Sequence, residues 1–351
     1  MMMSEDKSHK IKKSITRRKF VIKSAIALTA LGAAGISGYS ILNDDKTRLF
    51  LNYHRMGHCA PSIMQTLLEY NNIHNPELVK ITGAMAGGIA GPEMECGALT
   101  APLMFLGFQK GIPADINEKL LFITQIQSYY NKFYHYNGST ICTNIRDRHD
   151  GGCWKAISGF YNEFTSSRKN PLKLPAEMEK SYSILLNAFN DNGFHCAHNV
   201  LERLKMSVDI KKELYDASWP FIGGIAMLNR TCGALAAGVM ALSSSLARIE
   251  TSFFRVQRMN KLLKENDDNA MNDDINNFNK AINAGRELGT WFRKEFRSTT
   301  CLSLCGYNFS QTKDANNYLS DGCMNHCSLI AEKVAGKVKS ILSSNNQPLN
   351  S

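Results

Sequence analysis

The 351-residue sequence lacks the short motifs that mark the common enzyme classes, and it has only 9 prolines. It contains no P-loop, no dinucleotide-binding fingerprint and no H-E-x-x-H metal motif. It also lacks C-x-x-C and C-x-x-C-H, so neither a zinc knuckle nor a covalent c-type haem is expected. No run of alternating β-branched residues suggests a strand. These absences favour a helical protein whose chemistry depends on its ten cysteines.

The positive charge of the chain is concentrated at its N-terminus. The formal net charge is +10, but residues 1–23 contain eight Lys and Arg residues against Glu5 and Asp6. The remaining 328 residues therefore carry only +4, which is too little to indicate a nucleic-acid partner.

Residues 1–45 have the features of an export signal. The pair Arg17–Arg18 is followed by Phe20-Val21 and by a short apolar stretch over 25–36, which is typical of a twin-arginine signal. We therefore expect the twin-arginine translocase as a partner during export and a periplasmic or other extracytoplasmic location. An uncleaved signal is the alternative, and it would anchor the protein in the membrane. Because this route carries folded proteins, it favours a cofactor inserted before export, such as an iron–sulfur cluster.

The rest of the sequence contains an internal duplication. Cysteines occur in the same order in both halves, each embedded in the same short motif. The paired segments are His58-Cys59 and His195-Cys196, Gly-Gly-Ile-Ala at 87–90 and 223–226, Cys-Gly-Ala-Leu at 96–99 and 232–235, Ser-Thr-x-Cys at 139–142 and 298–301, and Gly-Cys at 152–153 and 322–323. The apolar residues that follow these cysteines recur with helical spacing.

The sequence therefore predicts an all-α fold made of two tandem homologous helical-bundle modules after the export signal. The first module is expected at 46–168, a linker at 169–184 and the second module at 185–342, with a polar, mobile insertion at 260–280 and a tail at 343–351. Trp154, Trp219 and Trp291 are interpreted as core residues.

Four of the cysteines, Cys59, Cys96, Cys196 and Cys232, are each predicted to begin a helix. A helix N-terminus favours a thiolate over a thiol, and nearby glycines let backbone N–H groups approach the sulfur. Three interpretations remain open: four-cysteine ligation of an iron–sulfur cluster, a thiol–disulfide redox centre without metal, and a non-catalytic metal site such as structural zinc.

The motif order resembles that of the C_GCAxxG_C_C family of redox-active proteins. The resemblance extends to the N-terminal part of split-Soret cytochromes c, whose cysteine domain is associated with an iron–sulfur centre. It departs from the family motif at Ala101 and Ala237, which stand where the family has glycine. By position, the resemblance implies two cysteine quartets: Cys59, Cys96, Cys142 and Cys153, and then Cys196, Cys232, Cys301 and Cys323.

Five other residues near these motifs have open roles. Cys305 and Cys327 would form a disulfide after export or serve as alternative ligands. His58 and His195 are either helix caps or residues of the centre, and Glu95 is either a first-turn charge or a catalytic acid.

Together these features predict an exported redox protein with one iron–sulfur cluster of unidentified type in each module. Electron transfer to an unidentified partner protein is favoured over turnover of a substrate, and a homo-oligomer is compatible with the sequence.

Overall fold

The computed structural model describes residues 45–148, 153–169, 171–249, 252–265 and 267–346. Within these ranges the chain forms helices and no β-strand, which confirms the all-α prediction. Two isolated β-bridges, Glu95–Ile141 and Thr231–Thr300, occupy equivalent positions in the two halves. None of the described helices is both long and apolar enough to cross a membrane. The predicted export signal lies outside the described residues except for its last position.

The first half of the chain forms seven helices within the described ranges. They are α1 (Asp45–Met56), α2 (Cys59–Tyr70), α3 (Pro76–Thr82), α4 (Gly97–Lys110), α5 (Ile116–Asn137), α6 (Cys142–Arg148) and α7 (Trp154–Lys169), with a 3-10 turn at Gly83–Met85.

The second half repeats this order and adds two helices. Its elements are α8 (Ala176–Asp191), α9 (Cys196–Leu204), α10 (Lys212–Ser218), α11 (Gly233–Leu246), α12 (Phe253–Lys264), α13 (Asn279–Phe296), α14 (Cys301–Cys305), α15 (Thr312–Ser320) and α16 (Cys323–Asn346), with 3-10 turns at Trp219–Phe221 and Asp268–Met271. Helices α12 and α15 have no counterpart in the first half.

Local sequence explains where the helices begin and end. The side chain of Asp115 caps α5 by accepting a hydrogen bond from the Glu118 N–H. Helices α5 and α13 are each followed by a left-handed C-cap residue, Gly138 and Arg297 respectively. The central helices α4 and α11 are rich in Ala, Gly and Leu and are buried on nearly all sides, because small side chains let neighbouring helices pack closely. Ala101 and Ala237 are fully buried there.

The two halves interlock within one compact unit that begins at Arg48. Helix α4 packs on α10 of the other half, and α11 packs on α3. Gly107 lies so close to α10 that a Cβ atom there would be 2.4 Å from the Asp216 carbonyl oxygen. On the other side, Ser243 accepts a hydrogen bond from the Ala84 N–H (2.8 Å) and donates one to the Lys80 carbonyl (2.6 Å). Each half therefore completes the core of the other.

Three sequence-based expectations differ from the structure. Helix α8 begins at Ala176, inside the range expected to be a linker, because Tyr182, Leu185 and Phe189 are buried along one of its faces. The insertion at 260–280 is polar in composition, yet Ile275 and Phe278 are buried and the Asn276 amide donates to the Met56 carbonyl (2.9 Å). Of the three tryptophans, only Trp219 is in the core, whereas Trp154 and Trp291 are half-buried.

Candidate functional site

Every cysteine of the two predicted quartets lies at the start of a helix. Cys59, Cys142, Cys196, Cys301 and Cys323 are the first residues of their helices, and Cys96 and Cys232 are N-cap residues. Cys153 directly precedes α7. The prediction that cysteines begin helices is therefore confirmed for all four positions that it named.

In the first module, the four predicted cysteines interact with one another. The thiols of Cys96 and Cys142 are joined by a hydrogen bond, which raises the pKa of Cys96 and lowers that of Cys142. Cys59 is close enough to Cys142 and Cys153 for their charges to raise its pKa, after burial as the main cause. We call this set, Cys59, Cys96, Cys142 and Cys153, the first centre.

In the second module, five thiols surround one cavity of about 20 Å³. The lining includes Cys301 and Cys305 of α14 and Cys327 of α16. Cys323, the fourth cysteine of the predicted quartet, is one helical turn before Cys327 and is not part of this lining. We call the lining cysteines the second centre: Cys196, Cys232, Cys301, Cys305 and Cys327.

Glycines bring the backbone against the first cysteine of each module. A Cβ atom on Gly97 would lie 2.8 Å from Cys59 Sγ, and one on Gly233 would lie 2.5 Å from Cys196 Sγ. Backbone N–H groups of Gly87 and Ala60 donate to the Cys59 sulfur, and those of Gly223 and Ala197 donate to the Cys196 sulfur. The glycines of the repeated motif therefore allow a contact that any side chain would block.

Burial outweighs these N–H donors in setting the pKa values of most thiols. It raises the pKa of Cys59 and of Cys327 to about 12, and it raises the pKa of Cys196 and Cys232 as well. Burial therefore opposes the preference for a thiolate that a helix N-terminus provides, because removing a thiolate from water costs free energy.

Cys142 and Cys305 are the exceptions. A hydrogen bond from the neighbouring thiol is the main cause that lowers each pKa, from Cys96 in one case and from Cys301 in the other. Each module thus contains one pair of neighbouring thiols in which the pKa of one member is lowered.

The two histidines beside the first cysteines have different surroundings. The ring of His195 accepts a hydrogen bond from the His198 N–H (3.2 Å) and donates one to the Trp219 carbonyl (3.2 Å), which confirms the helix-cap interpretation. His58 makes no such cap. Its Nε2 atom lies 3.1 Å from Asn279 Oδ1 of the second module, and burial lowers its pKa to about 4.

Glu95 is not a first-turn charge. It is buried just before α4 and accepts a hydrogen bond from the Thr231 hydroxyl of the second module, and burial raises the pKa of this carboxyl. Because Glu95 precedes Cys96 and Thr231 precedes Cys232, this bond links the segments that carry the two centres.

Sequence reasoning missed Arg286, a half-buried residue of α13 in the second module. Its guanidinium lies beside Gly87, where a Cβ atom would be 3.4 Å from Nη2, and its charge acts on Cys142. Aligning α5 with α13 on the C-cap residues that follow them would have directed attention to this position.

The ten cysteines, all within the described ranges, are not joined in disulfides. Among the residues that the structure describes, no group of three or more His, Cys, Asp and Glu side chains has an arrangement ready to hold a metal ion.

Comparison with known proteins identifies one family. The family model described as "Putative redox-active protein (C_GCAxxG_C_C)" matches residues 57–169 and again residues 194–341. No curated protein and no solved structure matches the chain. The two matched regions cover more than half of the chain and coincide with the two cysteine centres. The chain therefore belongs to the C_GCAxxG_C_C family of redox-active proteins and contains its module twice.

Proposed function

We propose that each module binds an iron–sulfur cluster through four cysteine thiolates and that the protein transfers single electrons. One observation carries this proposal: five thiols line one cavity in the second module, and the four cysteines of the first centre are close enough for their charges to act on one another. An iron–sulfur cluster is held by such a set of thiolates and exchanges one electron at a time when bound.

The first cluster would be held by Cys59, Cys96, Cys142 and Cys153. For the second, the cavity lining favours Cys196, Cys232, Cys301 and Cys327, with Cys327 in the place that the family motif gives to Cys323. Cys305 would then be a fifth thiol beside the cluster, hydrogen-bonded to Cys301.

The chemistry of these residues fits a cluster in two respects. The donors are all thiols, which are the usual cluster ligands. Gly97 and Gly233 leave the backbone in contact with the cysteine sulfurs, and hydrogen bonds from backbone N–H groups to sulfur stabilise the charge of a bound cluster.

The cavity of about 20 Å³ has room for one water-sized group. The thiols of the second centre are therefore closer together than an iron–sulfur cluster requires. We expect them to lie farther apart when the module has bound a cluster. Circular dichroism of the aromatic residues beside the second centre should differ between the iron-free and the iron-loaded protein.

Anaerobic purification tests the proposal. We expect brown protein with iron and acid-labile sulfide equivalent to two clusters per chain, and a paramagnetic signal in one redox state. A double variant, Cys96→Ser with Cys142→Ser, should retain half of the iron and sulfide. Colourless protein without iron or sulfide would refute cluster binding, and stoichiometric zinc would indicate the structural-metal alternative.

The second candidate is a thiol–disulfide redox centre. The observation that favours it is the pair of hydrogen-bonded thiols in each module, Cys96 with Cys142 and Cys301 with Cys305, because one acidic thiol beside another is typical of a reactive dithiol. Under this alternative, mild oxidation of iron-free protein removes two thiols per module, and peptide mapping identifies these pairs.

We also propose that the protein is exported by the twin-arginine route before it meets a redox partner protein outside the cytoplasm. Replacing Arg17 and Arg18 with lysine should keep the protein in the cytoplasmic fraction. Replacing Lys12 and Lys13 with glutamine removes two charges outside the motif and is the matched control. Equal export of both double variants would refute the proposed route.

A further inference from the structure

The duplicated helices α5 and α13 differ at one equivalent position near their N-terminal ends. The cysteines that follow these helices, Cys142 and Cys301, are 159 positions apart, as are the two C-cap residues. The same offset pairs Lys119 of α5 with Phe278, the N-cap residue of α13. A partly exposed lysine in the first module therefore corresponds to a fully buried phenylalanine in the second.

Phe278 closes the space beside the histidine that precedes the first cysteine of the opposite module. Its ring contacts that of His58 edge to face, with the ring centroids 6.1 Å apart. It also covers Gly83, where a Cβ atom would lie 2.7 Å from Phe278 Cδ1. An aromatic ring from the second module thus fills this position in the first.

The equivalent position beside His195 is an open cleft of about 180 Å³. Lys119 lines this cleft, and its Nζ atom donates a hydrogen bond to Asn190 Oδ1 (2.9 Å). Trp219 stands where the first module has Gly83, and its ring stacks on that of Phe122 (4.9 Å) to form one wall of the cleft. The space that Phe278 fills in the first module is therefore partly open in the second.

The cleft has an apolar floor and a polar, cationic mouth. Four of its lining side chains are apolar and buried: Leu186, Phe189, Trp219 and Ile222. Lys119 and Asn190 are less buried and lie at the mouth. Because no Asp or Glu is among the described residues that line the cleft, the Lys119 ammonium has no carboxylate partner there.

The size of the cleft matches a single aromatic ring, because an apolar cavity of about 150 Å³ is sufficient to bind benzene. The rings of His195 and His198, stacked with their centroids 3.9 Å apart, also line it. Aromatic walls favour an aromatic ligand through stacked and edge-to-face contacts.

We propose that this cleft binds a small carboxylic acid that has a single aromatic ring. The ring takes the place that Phe278 has in the first module, and the carboxylate accepts a charge-assisted hydrogen bond from Lys119. His195 lines the cleft, and the next residue, Cys196, lines the cavity of the second centre. The bound acid is therefore adjacent to the second centre without contacting a cysteine, since no cysteine lines the cleft.

Calorimetric titration of the intact protein with benzoate tests this site. We expect one benzoate per chain, and weaker binding by at least about fivefold for benzamide, which lacks the charge, and for acetate, which lacks the ring. Lys119→Phe copies Phe278 and should abolish benzoate binding by filling the cleft. Lys119→Gln should weaken it roughly fivefold. Lys264→Gln removes an exposed charge from α12 and is the control that should bind as the wild type does.

Three results would overturn the inference: no benzoate binding to the wild type, wild-type affinity in folded Lys119→Phe, or equal affinities in Lys119→Gln and Lys264→Gln. If Lys119→Phe does not fold, Lys119→Gln still tests the contact with the carboxylate. The titration does not depend on the proposed clusters. Benzoate binding by protein that contains no iron would refute cluster binding alone.

Discussion

The contact between Gly233 and the second centre leads to a prediction with a defined magnitude. A Cβ atom at this position would lie 2.4 Å from the Phe221 carbonyl oxygen and 2.5 Å from Cys196 Sγ. Both distances are far below van der Waals contact, and the carbonyl belongs to backbone that does not move easily. Gly233→Ala should therefore cost about 1–3 kcal/mol of stability, as overpacking of a core does. It should also displace the Cys196 sulfur.

Gly336→Ala provides the matched control. Gly336 is exposed within α16, and no atom lies within 4 Å of a Cβ placed there. Alanine at this position should stabilise the helix by roughly 0.5–1 kcal/mol, because glycine is a poor helix former.

Thermal unfolding of the iron-free protein, followed by circular dichroism, measures both effects. A change of 1 kcal/mol corresponds to roughly 2–4 °C in Tm for a domain of this size class. We expect a lower Tm for Gly233→Ala and a slightly higher Tm for Gly336→Ala. The iron content of Gly233→Ala should fall toward the amount that a single centre binds. Wild-type stability together with wild-type iron content in Gly233→Ala would refute the argument that the motif glycine admits the cysteine sulfur.

Three further predictions concern single contacts. Cys327→Ser should lower iron and sulfide to about half, whereas Cys323→Ser should retain both, because only Cys327 lines the cavity; the reverse pattern would assign the ligand to Cys323. Thr231→Val should cost about 1–3 kcal/mol in urea unfolding because the buried Glu95 carboxyl loses its side-chain donor, while Thr231→Ser should not. Although burial opposes it, hydrogen bonds from Ser244 and Lys80 hold the pKa of Glu77 below its usual value. The stability that this carboxylate contributes is therefore present above its unfolded-state pKa and lost as pH falls through the folded-state pKa. Glu77→Gln should cost about 1 kcal/mol at pH 7 and progressively less as the pH falls through the folded-state pKa, and a constant difference would contradict the assignment.

Much of the fold was predictable because the duplication repeats signals that act locally. Helix starts at Cys59, Cys96, Cys196 and Cys232 followed from the apolar spacing after each cysteine and from the glycines before two of them. The cysteines of the first centre followed from the same repeat, although their meeting in space depends on tertiary packing. Periodicity and turn chemistry are properties of short segments, so they can be deduced without knowing what packs against them.

The features that were missed depend on tertiary contacts, and two of the three are contacts between the modules. A polar composition predicted a mobile insertion, but Asn276 and Asn279 use their amides to join it to the end of α1 and to His58. The choice of Cys327 over Cys323 depends on which side of α16 faces the cavity, and helical spacing leaves both one turn apart. Likewise, Glu95 was assigned to a helix end because its partner, Thr231, is 136 residues away in sequence.

These same contacts explain why the duplicated modules have diverged. The first centre is covered by the insertion of the second module through His58 and Asn279, and it receives the charge of Arg286. In the second module the Ala226 carbonyl accepts a hydrogen bond from the neutral Gln127, and the second centre has one cysteine more than the first. The two modules therefore experience different constraints, because a substitution on α5 or α13 changes a contact with the opposite module. Duplication thus produced two similar cysteine sets, and the interlocked packing gave each one a different electrostatic environment.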